Sequence, residues 1–187
     1  AVGGNTIATA FGYSYDGINW LASVGITGGM TTCNGICWNG TMFVAVGSGN
    51  SNVFGYSYDG ITWNASSGIP SGMVVGMAIC WNGNKFISLG YDGPNASTSV
   101  FGYSYDGINW IGSITSPNIN VGLCVAWNGL RFVAGGYNSN TPVVVNVFAY
   151  STDGITWTAS NGITNGMTRC NDISWNGSMF VAVGGTT

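Results

Sequence analysis

One motif, written four times, constrains this chain more than anything else in it. FGYSYDGINW at 11–20 returns as FGYSYDGITW at 54–63, FGYSYDGINW at 101–110 and FAYSTDGITW at 148–157. A second segment alternates with it: ICWNGTMFVAVG (36–47), ICWNGNKFISLG (79–90), VAWNGLRFVAGG (125–136) and ISWNGSMFVAVG (173–184). The aspartates of the first motif, Asp16, Asp59, Asp106 and Asp153, stand 43, 47 and 47 residues apart. All eight tryptophans belong to the repeat: Trp20, Trp63, Trp110 and Trp157 in the first motif, Trp38, Trp81, Trp127 and Trp175 in the second. A regular period of this length marks a fold made by stacking one small unit on copies of itself.

Each unit reads as four short strands. Asn-Gly after the Trp of the second motif is a strong hairpin signal and joins a strand A (CNGICW) to a strand B (MFVAVG). The Asp-Gly of YSYDG makes a second tight turn, joining a strand C (VFGYSY) to a strand D (INWLAS). No stretch has helical periodicity, and 32 glycines weigh against helix anywhere. Side chains alternate between the faces of a strand, so strand A has a thin face, carrying Cys37, Gly35 and Cys33 or Cys80, Ala78 and Gly76, and a bulkier one carrying Ile36 or Ile79. Strand C repeats this, with Phe11 and Tyr13 opposite Gly12 and Ser14. Sheets of that kind bury both faces when stacked large against small. Four-stranded sheets stacked radially are the blades of a β-propeller, so the expected fold is all-β: antiparallel four-stranded blades, with four blade-equivalents in the chain.

Ser57-Tyr58-Asp59-Gly60-Ile61-Thr62-Trp63 resembles the Asp-box of sialidase-type (BNR) propellers, Ser-x-Asp-x-Gly-x-Thr-Trp, and is one residue shorter. The whole unit is similar to the WNG-x-x-FVAVG and YS-x-DG-x-TW repeats of secreted bacterial proteins and of proteins of large DNA viruses, over essentially the full chain. The resemblance implies a propeller fold and a structural role for the box residues Ser14, Asp16, Trp20, Ser57, Asp59, Trp63, Ser104, Asp106, Trp110, Ser151, Asp153 and Trp157. A physical reason agrees: the carboxylate can accept backbone N–H bonds across the turn while the Trp covers the hairpin.

The chain reads as a single repeat domain, 1–187: strands C and D of a first blade at 1–24, repeats at 25–67, 68–114 and 115–160, and strands A and B at 161–187. The first C–D pair lacks an A–B pair and the last A–B pair lacks a C–D pair. Either the ends meet in one mixed blade and close a four-bladed ring, or the units belong to a larger propeller or array.

Composition excludes several functions. The chain has three Lys and Arg, no His and no Glu, and only 5% of its residues are charged. Three scattered cations cannot neutralise a run of phosphates, so nucleic acid is not an expected partner. No apolar run approaches the roughly 20 residues of a membrane-spanning helix, and no membrane insertion is expected. A nucleophile activated by His is impossible. A glycosidase needs paired carboxylates, and four of the six aspartates sit in turns, leaving Asp92 and Asp172. The chain therefore reads as a non-enzyme without cofactor or metal, with a glycosidase-like activity a distant third reading. The cysteines Cys33, Cys37, Cys80, Cys124 and Cys170 all lie on the thin face of strand A, read as free small core residues, with a disulfide between neighbouring inner strands as the alternative.

The A–B and C–D turns barely vary among the four copies, whereas the B–C and D–A loops do, and in a meander these emerge on one side. Loops on rigid scaffolds carry recognition, so a ligand is expected there, around Tyr91, Asp92, Asn95, Tyr137 and Asn138. Two function classes follow. One is an interaction or structural protein of an extracellular, virion or fibre assembly, with protein partners or its own copies. The other is a glycan-binding lectin or adhesin. An Asn-, Ser-, Thr- and Gly-dominated surface points to an extracellular setting or a particle surface.

Overall fold

The computed structural model describes residues 11–27, 29–70, 72–93, 99–113, 119–138, 147–161 and 166–186. Among them the chain is all-β, mainly in antiparallel meanders, and no helix is present. The first hairpin pairs β1 (Gly12–Tyr13) with β2 (Leu21–Ala22), and β3 (Val24–Thr27) follows. Three complete four-stranded units come next. They are β4 (Met30–Trp38), β5 (Phe43–Gly49), β6 (Phe54–Ser57) and β7 (Thr62–Ala65); β8 (Val75–Trp81), β9 (Phe86–Tyr91), β10 (Ser99–Ser104) and β11 (Ile111–Gly112); and β12 (Val121–Trp127), β13 (Phe132–Tyr137), β14 (Phe148–Ser151) and β15 (Thr158–Ala159). A last pair, β16 (Arg169–Trp175) and β17 (Phe180–Gly185), ends the described chain.

Within a complete unit every strand pairs with the next one in sequence. Between units the ladder shrinks to a few residues, Val24 opposite Thr62 and Thr27 opposite Asn64 in a parallel β3–β7 contact, then single pairs, Ser48 opposite Val75 and Tyr137 opposite Arg169, and the units are held mainly by their faces. The four hydrophobic cores all lie between units. One joins Val44, Val46 and Phe54 of the first complete unit to Phe86 and Trp110 of the second. The next joins Ile87, Leu89 and Phe101 to Phe132 and Trp157. Two others join the first hairpin to the first complete unit, through Phe11 and Trp63, and β12 and β13 to β16 and β17, through Cys124 and Cys170. Large side chains meet small ones: a Cβ on Gly76 would overlap Val46, and one on Gly122 would lie 2.9 Å from Leu89 Cβ.

One local expectation is corrected. The Asn-Gly pair does not form the centre of a two-residue turn. Asn39 N donates to Met42 O at 3.2 Å, so Gly40 and Thr41 are the central residues and Asn39 is the corner. Its Oδ1 accepts from Thr41 N (2.9 Å) and Met42 N (2.8 Å), and Gly40 takes φ 98°; Asn is there for its side-chain acceptor and Gly for the left-handed backbone. The ladder of strand A is interrupted. Each copy has a bulge, between Cys33 and Gly35, Gly76 and Ala78, Gly122 and Cys124, and Cys170 and Asp172. The bulge twists strand A so closely over strand B that only glycine fits opposite it.

Candidate interaction sites

The YSxDG segment is a wider loop than the tight Asp-Gly turn expected of it, organised around one carboxylate oxygen. Ser57 Oγ donates to Asp59 Oδ1 (2.9 Å), and Gly60 N donates to Ser57 Oγ (2.8 Å). Asp59 Oδ1 also accepts from Ile61 N (2.8 Å) and Thr62 N (2.7 Å). Ser104 and Asp106, Ser151 and Asp153, and Ser14 and Asp16 repeat the pattern. The indole N–H of Trp63, Trp110 and Trp157 donates to the carbonyl of Gly60, Gly107 and Gly154 at 3.2, 3.3 and 3.3 Å. Trp20 is the exception, 66% exposed where the other three are 3%, 5% and 4% exposed.

These bonds favour the ionised carboxylate. The N–H groups of Thr62 and Ile61, then the Ser57 hydroxyl, bring Asp59 down to about 2. For Asp106 burial pushes upward, but the bonds from Asn109, Ile108 and Ser104 outweigh it and leave the carboxyl at about 2. The Asn19 N–H, its side-chain amide and the Ile18 N–H hold Asp16 lower still. An unfolded Asp titrates near 3.8. The folded value is the lower one, so this stabilisation is present above about pH 4 and is lost as pH falls through about 2. With no His and no Glu in the chain, urea midpoints are expected to stay flat from neutral pH to about 4 and to drop steeply below it. Asp106→Asn is expected to shrink that drop, and a midpoint unchanged down to pH 2 would contradict the turn chemistry.

Serine links one unit to the next. Ser23 Oγ donates to Gly60 O (2.9 Å), Ser66 Oγ to Gly107 O (3.0 Å) and Ser113 Oγ to Gly154 O (3.3 Å). The ends of three D strands thus hold the box of the following unit. The sequence reading missed this, although the signal recurs there: Ser23, Ser66, Ser113 and Ser160 each stand three residues after a box Trp. Lys85 adds a link of its own, its ammonium donating to Asp153 O at 2.9 Å while lying 4.9 Å from the Tyr105 ring centroid.

The A strands of all four copies line one cleft of about 240 Å³, through Asn34 and Ile36, Met77 and Ile79, Leu123 and Val125, and Asn171 and Asp172. Asn34 Nδ2 donates to Gly76 O (2.9 Å), tying β4 to β8 there. The thiols of Cys124 and Cys170 face each other at 3.6 Å, and all five cysteines are free. The contact with Cys170 and then burial raise the Cys124 thiol well above its ordinary range. Burial, and secondarily Cys37, pushes Cys80 up to about 12. A thiol held neutral by its surroundings, as Cys80 and Cys124 are, is a poor nucleophile and a poor metal ligand. Among the described residues no cluster of His, Cys, Asp or Glu could hold a metal ion.

Of the expected ligand residues, Asn95 lies outside the described residues. Tyr91 and Tyr137 occupy the same place in successive units, the last residues of β9 and β13. Tyr91 pairs with Val75 and Ser99, and Tyr137 with Val121 and Arg169. The Arg169 guanidinium lies 4.9 Å from the Tyr137 ring centroid, over one face of the ring. Asp92 and Asn138 are half-buried and both engaged in contacts. None of these four lines the strand-A cleft or either cleft at the ends of the repeat. Among the described residues no helix is long and apolar enough to cross a membrane. No protein-family model matches the chain, and no curated protein matches it in sequence.

Proposed function

We propose that the chain is a non-catalytic β-propeller-type scaffold whose units act as blades, serving as a rigid interaction or structural element of an extracellular, virion or fibre assembly. One observation carries the reading: the residues with chemical potential are engaged in holding the fold, the carboxylates within their own turns and Lys85 between neighbouring blades. The box carboxylates accept backbone N–H groups. Lys85 is bound to a backbone carbonyl, and Asp172 Oδ1 accepts from Ile173 N at 2.8 Å. A set of residues so engaged offers no paired carboxylates for hydrolysis. The shared strand-A cleft and the three identical serine links support the radial arrangement, because each junction repeats the last. The B–C and D–A rim is the side left for partners.

The glycan-binding reading is the rival. It draws on the aromatic and amide residues of that rim, and the face of Tyr137 taken by Arg169 weighs against it. A glycan array probed with the protein, run beside a panel of chromogenic glycosides, tests both. The expected result is neither binding nor turnover. A saturable glycan signal abolished by Tyr91→Ala would replace the scaffold reading with the lectin one. Electron-microscopy class averages are expected to show wedges around a common axis, and a flat stack of sheets would overturn the propeller.

A further inference from the structure

Two internal junctions fill the space between neighbouring A strands with one aliphatic side chain. Gly35 pairs with Val46 in the first complete unit, and a Cβ on Gly76 of the next unit would overlap that valine. Ala78 pairs with Leu89 in the second, and a Cβ on Gly122 of the third would lie 2.9 Å from Leu89 Cβ. The third junction is written differently. Cys124 pairs with Gly135, and the residue in the place of Gly76 and Gly122 is Cys170. A Cβ on Gly135 would lie 2.5 Å from Cys170 Sγ and 2.8 Å from Cys124 Sγ. Two sulfurs thus occupy the volume that a valine or a leucine fills elsewhere.

The sulfurs lie 3.6 Å apart, with Cys124 4% exposed and Cys170 0% exposed. The other thiols turn to backbone: Cys33, Cys37 and Cys80 donate to the carbonyls of Gly35, Trp38 and Trp81 on their own strands. A disulfide bond is about 2.0 Å long, so Cys124 and Cys170 have to close by about 1.5 Å to form one. Cys124 also lines the strand-A cleft of about 240 Å³, which gives a water-sized solute a way to the pair. The Cys124 S–H directed at Cys170 holds the Cys170 thiol below its ordinary range, although burial opposes this. Thiolate is the nucleophilic form of cysteine.

We propose that Cys124 and Cys170 form an oxidation site that closes into a disulfide when the chain meets a peroxide, stapling β12 to β16. The Cys170 thiolate attacks one oxygen of hydrogen peroxide and the O–O bond breaks; the departing hydroxide takes up the proton that Cys170 released. The Cys124 sulfur then attacks the sulfenic acid on Cys170. An S–S bond forms, the S–O bond breaks, and the hydroxyl leaves as water with the Cys124 proton. The pair gives up two electrons and two protons, and one peroxide becomes two waters. The bond ties residues 46 positions apart. It does so at a junction whose backbone ladder is the single pair Tyr137–Arg169, where a constraint is least supplied by hydrogen bonds. The site stands whether or not the chain is a scaffold, because its readout needs neither a partner nor a glycan.

The test takes the full chain, reduced with dithiothreitol and freed of it, through hydrogen peroxide and then catalase. Remaining thiols are alkylated in denaturant and the peptides are mapped by mass spectrometry. The expected product is a cross-linked Cys124–Cys170 peptide, with Cys33, Cys37 and Cys80 alkylated. The urea midpoint is expected to rise by about 1 M and to return with dithiothreitol. Cys124→Ala, which copies Ala78, is expected to leave on Cys170 a sulfenic acid that dimedone traps, with no rise in midpoint. The triple variant Cys124→Ala, Cys170→Gly and Gly135→Leu rewrites the junction as Ala78, Gly122 and Leu89. It is expected to fold with a midpoint that peroxide does not move. Five alkylated cysteines after peroxide, or a bond between any other two, overturn the proposal. So does Cys170 carried to the sulfinic acid with Cys124 still a thiol, which would leave the sulfur pair as packing alone.

Discussion

Trp110→Ala is expected to cost about 3–5 kcal/mol of folding stability, whereas Trp20→Ala costs less than about 0.5 kcal/mol. The two residues occupy the same position of the same motif, so the contrast isolates what the surroundings contribute. Trp110 is 5% exposed, stacks on Phe54 at an interplanar angle of 15° and donates its indole N–H to Gly107 O. Removing it opens a void in the core between two complete units and leaves the Gly107 carbonyl with one bond fewer. Trp20 is 66% exposed and has no such core to vacate. Urea midpoints at constant m-value read the difference directly. Equal losses at both positions would mean that the indole acts within its own hairpin and not between units.

Gly90→Ala is expected to be nearly as damaging although it adds one methyl group, about 3 kcal/mol, and to lower the melting temperature by about 6–12 °C. A Cβ at Gly90 would overlap the Val75 carbonyl oxygen and come within 2.9 Å of Gly76 Cα. Those neighbours are backbone in a paired strand, so they cannot swing aside as the end of a side chain can. Gly47 meets Thr32, Gly136 meets Val121 and Gly184 meets Arg169 in the same way. The control is Gly185→Ala, where a Cβ would meet nothing within 4 Å and stability is expected to stay within about 0.5 kcal/mol. A Gly90→Ala protein as stable as Gly185→Ala would contradict the close approach imposed by the bulge. The last glycine of each FVAVG-type segment is therefore explained by strand-to-strand distance, since none of these four has a positive φ.

The strands and turns were readable because their causes are local. A WNG corner contains its own acceptor, as Asn39 shows by binding Thr41 N and Met42 N. A YSxDG loop contains its own carboxylate, as Asp59 shows. Large-against-small packing was also readable, since alternation assigns each residue to a face before any partner is known. The strand-A bulge was not, because a ladder slips by one residue only when a particular partner strand lies beside it. Nor was the covering of one face of Tyr137, which depends on Arg169 arriving 32 positions later through the one-residue ladder between β13 and β16.

By itself, then, the sequence determined an all-β chain of repeated four-stranded units, the chemistry of both turn types, and the absence of the His, Glu and clustered cations that several functions require. Only the tertiary structure decided that the hydrophobic cores lie between units, that a serine of one unit holds the box of the next, and which copies of an identical motif are buried. Trp20 and Trp110 sit in the same ten-residue sequence and differ 66% to 5% in exposure. The reason is physical: turn hydrogen bonds close within a few residues, whereas burial in a repeat protein is supplied by the neighbouring unit and not by the motif itself.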